Sequence, residues 1–316
     1  MDILVRPVET LPPWGSSLWV ESVSQHLGGN GALTAYTLAK LGTPARLCGL
    51  VGEDALGRYA LEKLKLVGVD VSEVLLEPGS QTATTVGLIN QRAERLFLHL
   101  RGASRSLRPE QIQLDACRVR GISYFHLGSF FHMPAIREGG AALLERARAA
   151  GLVTSVDTMW DGAGRWMADF GALCPWVDLL FVNQDEARMM AGSSELSQVG
   201  EFFRSRGAGI VILKMAGEGC AIAAAGEQFM VPAYDVTAVD TTGAGDCFCG
   251  GFLAALRLGF SLREAARFAN AVAALSIQQI GGAEGLANLE ETLAWMARAP
   301  VRKGKTCCIT PHHLQL

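Results

Sequence analysis

Five short apolar runs set the limits on what this chain can fold into. They are Ala45–Val51 (ARLCGLV), Gly121–Leu127 (GISYFHL), Leu152–Val156 (LVTSV), Leu179–Val182 (LLFV) and Ile210–Leu213 (IVIL). A strand with one wet face alternates apolar and polar residues, whereas these runs are mostly continuous, as strands covered on both faces of a parallel sheet should be. Stretches with helix start and stop signals lie among them. Asn30–Leu41 stops at Gly42, Ala55–Val67 follows Asp54 as an N-cap residue and stops at Gly68, and Pro134–Ala150 has proline in its first turn and stops at Gly151. Strand–helix alternation over most of the chain predicts an α/β sandwich. Two regions break that rhythm. Leu4–Ser24 is rich in Pro, Trp and β-branched residues, and Thr82–Leu100 reads as two strands around a polar turn near Gln91–Glu94. Both are expected to belong to a small antiparallel sheet added to the main body.

The chain has 316 residues, 49% of them hydrophobic, enough to bury a substantial core. Its net charge of −3 gives no basic footprint for nucleic acid. No apolar run reaches the roughly 18 residues that would span a bilayer. The N-terminus carries an acid and prolines where a signal peptide needs an apolar stretch, so the expectation is a cytoplasmic protein with no membrane partner. The eight cysteines contain no C-x-x-C; Cys307-Cys308 with His312-His313 lacks zinc-ligand spacing, and most of the rest read as buried reduced thiols. Residues 300–316 read as a disordered tail after a body of residues 1–299.

The chemistry concentrates in AVDTTGAGDCFCGG, Ala238 to Gly251. Gly243, Ala244 and Gly245 stand between Asp240 and Asp246, and the Asp246–Leu258 helix that follows is apolar nearly all round, hence buried. A helix N-terminus has unpaired amides and a partial positive charge, and small residues there let an anion approach. An aspartate at that spot suits proton removal from a nucleophile attacking a phosphate, which needs only a positioned carboxylate near its ordinary pKa. Local physics equally allows Asp246 to be a helix cap after a glycine turn.

The wider pattern favours the first reading. D-T-T-G-A-G-D, Asp240 to Asp246, resembles the C-terminal signature of the PfkB (ribokinase-like) carbohydrate kinases. GGNGALTAYTLAKLG (Gly28–Gly42), GLVGEDALGRYALEKLKLVGVD (Gly49–Asp70), FVNQDEARMMAG (Phe181–Gly192) and ILKMAGEGC (Ile212–Cys220) resemble further blocks of that family, in its order, over roughly residues 2 to 295. The resemblance implies a three-layer α/β/α sandwich with a small β lid, drawn from about residues 2–25 and 76–102, and ATP-dependent phosphorylation of a sugar hydroxyl. It implies Asp246 as general base with Gly243, Ala244 and Gly245 as anion hole. It places Asn183, Glu186, Lys214, Gly217, Gly219 and Asn270 at the nucleotide, and Asp2, Gly28, Gly29 and Asn30 at the sugar. Glu186 would hold Mg²⁺ through water, and Asp240 is a candidate for a monovalent cation such as K⁺. Pairing of exposed lid faces as a homodimer, through Leu18, Trp19 and Val20, is also implied.

Three departures qualify that pattern. Similar kinases carry an apolar strand before the aspartate matched to Asp2. Here Met1 stands immediately before it, so a first core strand is missing, and a start further upstream is the expectation. Where some fructose and sugar-acid kinases carry D-x-N-x-R, this chain reads VDTMWDGAG from Val156, keeping Asp157 but placing Met159 and Asp161 further on. The lid strands are poor in lysine, which argues against a phosphorylated sugar, although Arg95 and Arg101 keep that acceptor open. His26, His99 and His126 are candidates for substrate contact. The alternatives are a nucleoside kinase on the same fold and a catalytically impaired sugar-binding regulator.

Overall fold

Each unbroken apolar run falls on a strand, and those at the centre are buried on both sides. The computed structural model describes residues 1–92, 94–114, 117 and 121–302. In chain order the strands are β1 (Asp2–Arg6), β2 (Ser22–His26), β3 (Arg46–Gly52), β4 (Asp70–Glu77), β5 (Thr84–Ile89), β6 (Arg95–Leu100), β7 (Tyr124–Leu127), β8 (Val153–Asp157), β9 (Leu179–Asn183), β10 (Ile210–Lys214), β11 (Cys220–Ala224) and β12 (Glu227–Val231). The helices are α1 (Asn30–Lys40), α2 (Ala55–Leu66), α3 (Pro134–Ala149), α4 (Met167–Phe170), α5 (Gln184–Ala191), α6 (Leu196–Arg204), α7 (Ala244–Arg257), α8 (Leu262–Ser276) and α9 (Leu289–Met296). The expected cap forms at Asp54, which accepts from the Gly57 amide, and Ser261 with Glu264 closes a capping box on α8.

The main sheet runs β12-β11-β10-β9-β8-β7, parallel from β7 to β10 and antiparallel beyond. Successive residues of β9 serve opposite layers. Leu180 and Val182 join one core with Leu143 of α3 and Phe203 of α6, while Leu179 and Phe181 join another with Phe252 of α7 and Phe268 of α8. Each such side chain, fully buried, stabilises the fold by about 1.5–3 kcal/mol. That two-sided demand makes three layers the solution.

The small sheet has the order β2-β1-β5-β6. It is mixed rather than wholly antiparallel, because β1 and β5 run parallel with Asp2 opposite Thr85. Parallel neighbours need a long crossover, and here α1, β3, α2 and β4 supply it. β3 and β4 form a parallel pair of their own. Asp2, matched in sequence to the end of a core strand, instead opens β1 of the small sheet. Among the described residues β3 pairs only with β4 and β7 only with β8, so the two are not joined in one sheet. Both line one cavity of about 760 Å³ that continues to Asp246.

The body extends past residue 299. Val301 bridges Tyr234, and Arg302 donates to Asp235 and the Gly217 carbonyl. Residues 303–316, with Cys307, Cys308, His312 and His313, lie outside the described residues. Among the described residues no helix is long and apolar enough to cross a membrane.

Candidate active site

Gly243 opens α7 in the left-handed region, at φ 72°. A Cβ there would lie 2.7 Å from Leu33 Cδ1, so glycine answers to both the backbone and the space. Asp240 holds the turn leading in, its carboxylate accepting from the Thr242 and Gly281 amides at 2.9 and 3.0 Å. The amides of Gly243, Gly245 and Asp246 have no acceptor among the described residues. That of Ala244 is directed at the Thr241 carbonyl over 3.3 Å. Three open amides therefore stand at the start of α7, and Asp246 rather than Ala244 supplies the third.

Asp246 is buried, and its Oδ1 accepts from Asn30 Nδ2 at 2.8 Å. Asn30 Oδ1 in turn accepts from the Ser129 hydroxyl at 2.7 Å. Asn30 therefore orients the carboxylate and has both ends of its amide engaged. Sequence reasoning placed it on the sugar and missed Ser129, a left-handed residue after β7 that carries no motif. The Asp246 carboxyl does not keep its ordinary pKa. Burial, reinforced by Asp157 and Asp2 and opposed by Lys214 and the Asn30 hydrogen bond, pushes it up to about 7.

Asp2 is also buried, and burial raises its pKa. The Met1 amino group is tied to the Ala83 carbonyl at 2.9 Å, which fixes the strand start. Gly28 leaves room for the Asp2 carboxylate, which a Cβ would overlap. Asp2, Gly28, Gly29, Asn30, Gly243 and Asp246 all line the cavity.

Lys214 ends β10 mostly shielded from solvent, paired with Asp157 at 2.5 Å. Burial alone would lower its pKa, but the charge of Asp157 overrides this and holds it high. A Cβ on Gly245 would stand 3.2 Å from Lys214 Nζ, so the lysine borders the anion hole. Asn183 and Glu186 form a reciprocal capping box on α5. Glu186 Oε2 accepts from Thr158 at 2.6 Å and from the Asn183 amide at 3.1 Å, while Oε1 accepts nothing among the described residues. Burial raises the Glu186 pKa. One open carboxylate oxygen fits Mg²⁺ held through its water shell. Among the described residues no group of three His, Cys, Asp or Glu could hold a metal directly.

Three residues expected at the nucleotide also touch protein. Gly219, at φ 101°, admits the backbone of Val231–Ala233 where its Cβ would be, and Gly217 lies against Arg302. Asn270 Nδ2 donates to the Val231 and Pro232 carbonyls at 3.0 and 3.1 Å. Of the histidines, His99 and His126 line the cavity, and so does His132, which sequence reasoning did not single out.

A three-layer α/β body, a small sheet beside it and a carboxylate at a glycine-opened helix define the ribokinase-like class. The pfkB family carbohydrate kinase model matches residues 3–288, and the chain belongs to that family of sugar kinases. It is 32% identical to an ATP-dependent ribose-1-phosphate kinase of Halopiger xanaduensis, over 89% of this chain and 90% of that one. It is 28% identical to fructokinase-1 of Oryza sativa subsp. japonica, over 86% and 88%. The Arabidopsis thaliana ribokinase complexed with ribose and ATP superposes with a TM-score of 0.82 at 26% identity, covering 93% and 95%. A putative ribokinase II from E. coli in complex with ATP and Mg²⁺ superposes with a TM-score of 0.83 at 23% identity, covering 94% and 96%.

Proposed function

We propose that this sugar kinase moves the terminal phosphoryl group of ATP to a sugar hydroxyl, with Asp246 as general base. The observation that carries this reading is the buried Asp246 carboxylate beside three open amides at the start of α7. A carboxylate with a pKa of about 7 is half ionised at neutral pH and is a stronger base than a solvated one. It accepts the hydroxyl proton as the alcohol oxygen attacks phosphorus and the oxygen bridging to ADP departs. The Gly243, Gly245 and Asp246 amides then meet charge on the transferring group, aided by the α7 dipole and by Lys214 beside them. Asp2 accepts a hydrogen bond from a second sugar hydroxyl and fixes which one faces Asp246. Glu186, supported by Thr158 and Asn183, would hold Mg²⁺ through water, and the ion would neutralise phosphate charge. Asp240 is assigned to holding the turn, and Asn270 and Gly219 to shaping the wall of the nucleotide site.

The small sheet acts in this reading as a lid. Arg95 of β6 already reaches Thr242 beside the anion hole at 3.5 Å, and closure there excludes water as a competing acceptor. Trp19, Val23, Leu96 and Leu98 leave the small sheet exposed and apolar, and a second copy of the chain would cover them. Light scattering of wild type and Leu98→Asp tests that pairing, which fails if wild type is monomeric at micromolar concentration.

The function is tested by ADP release with ATP, Mg²⁺ and a panel of sugars, sugar phosphates and adenosine. A sugar or sugar phosphate as preferred acceptor, with turnover lost in Asp246→Asn, supports the reading. Preference for adenosine would reassign the chain as a nucleoside kinase. Nucleotide binding without any acceptor turning over would make it a sugar-binding regulator.

A further inference from the structure

The cavity has an end, lined by one arginine and two imidazoles, that the phosphoryl-transfer chemistry does not use. Arg101, His99 and His132 all line it. The His99 and His132 rings stand 5.9 Å apart, centroid to centroid, edge to face. Among the described residues, the Arg101 guanidinium and the His132 ring have no hydrogen-bond or ion-pair partner. The nearby Arg137 differs, because Asp161 and Asp169 both hold it. Burial, and then the neighbouring His99, Arg101 and Arg137, push His132 down to about 4, with only Asp161 opposing. Arg101 thus stands beside two neutral imidazoles in a corner where, among the described residues, no carboxylate answers it.

The position of that corner is set by short links to the catalytic residues. On one side Asp2 stands opposite Thr85 in the β1–β5 pair, and the Thr85 hydroxyl meets His99 Nδ1 at 3.1 Å. On the other, Asp246 is bound to Asn30, Asn30 to Ser129, and one 3₁₀ turn, Phe130–His132, carries the chain from Ser129 to His132. One short turn separates His132 from Ser129, and both line the cavity. An acceptor with its reacting hydroxyl at Asp246 and another hydroxyl at Asp2 therefore lies in the same cavity as His99, Arg101 and His132.

We propose that the acceptor is a sugar already carrying a phosphate ester, bound through that ester by Arg101, His99 and His132. This deepens the kinase reading and rests on it. A guanidinium flanked by two imidazoles can match a phosphate dianion with charge-assisted hydrogen bonds, and a bound dianion favours protonation of both rings. The lid strands need no lysine for this, because His132 comes from the main body.

The test compares kcat/KM for pentose and hexose monophosphates with that for the parent neutral sugars and the matching sugar acids. Wild type should prefer a sugar phosphate by at least about 100-fold, and Arg101→Gln should cut that preference about 10- to 100-fold, chiefly through KM, with Arg101→Lys restoring part of it. Arg101 is exposed, so the variant should fold, and equal melting temperatures would verify this. In NMR, the His132 ring, identified by loss of its signals in His132→Gln, should titrate at higher pH with the preferred sugar phosphate bound, but not with its neutral parent. A neutral sugar or sugar acid as preferred acceptor, or an unchanged preference in Arg101→Gln, overturns this inference and leaves Asp246 as the base. If nucleotide binds and nothing is phosphorylated, the catalytic reading itself fails and the inference falls with it.

Discussion

Replacing Asp246 with asparagine should lower the rate and raise the stability, and the structure sets the size of both effects. The Asn30 Nδ2 donor can still find an oxygen at 246, so the local hydrogen bond survives. What disappears is the base, and a positioned base contributes about 10²- to 10⁴-fold, or about 3–5 kcal/mol of barrier. The stability change follows from linkage. The native carboxyl, at about 7, holds its proton more tightly than the unfolded one at 3.8. Between those values the native state carries more protons, so stability falls as pH rises. The gap between those two values caps that loss at about 4 kcal/mol, complete above pH 7. Asp246→Asn should therefore match wild type near pH 4 and exceed it by up to about 4 kcal/mol at pH 8. Urea unfolding across pH 4–8 measures this, and ADP release measures the rate. In wild type, kcat/KM should fall about tenfold per pH unit below 7 as the base protonates. A variant within tenfold of wild-type kcat, or one no more stable than wild type at pH 8, would refute the reasoning.

Three other substitutions probe the surroundings. Gly243→Ala forces a side chain into the left-handed region and against Leu33, so stability should drop by about 1–3 kcal/mol. Its displaced amide should cost about 10²- to 10³-fold in kcat, read by steady-state kinetics at saturating acceptor. Lys214→Met leaves buried Asp157 without its partner and should destabilise by about 3–5 kcal/mol in urea. Adding Asp157→Asn should recover most of that loss, and failure to do so would show that the pair is not the cause. Glu186→Gln keeps the size of the side chain and can keep its bonds to Thr158 and Asn183. The Mg²⁺ concentration for half-maximal rate should rise several-fold with little change in melting temperature, and an unchanged Mg²⁺ dependence would remove Glu186 from that role.

The sequence by itself determined the layers. Continuous apolar runs at β8, β9 and β10 require cover on both faces, and the caps at Asp54 and Ser261 are local devices whose partners lie three residues away. It also placed Asp246 at the mouth of a buried helix, because a glycine turn and an all-round apolar helix are both written in neighbouring residues. Only the tertiary structure decided what that carboxylate feels. Asn30 lies 216 residues from it in sequence, and Asp157 and Lys214, which bear on its charge, come from two different strands of the sheet. Local motifs cannot encode desolvation, so a carboxyl expected at its ordinary pKa sits near 7. For the same reason the sequence did not show that Asn270 and Gly219, expected at the nucleotide, also pack on the Val231–Ala233 backbone. The sequence offered Arg101 and His99 singly, but their grouping with His132 was illegible, since the strand and the 3₁₀ turn that carry the two histidines meet only when the small sheet docks on the body.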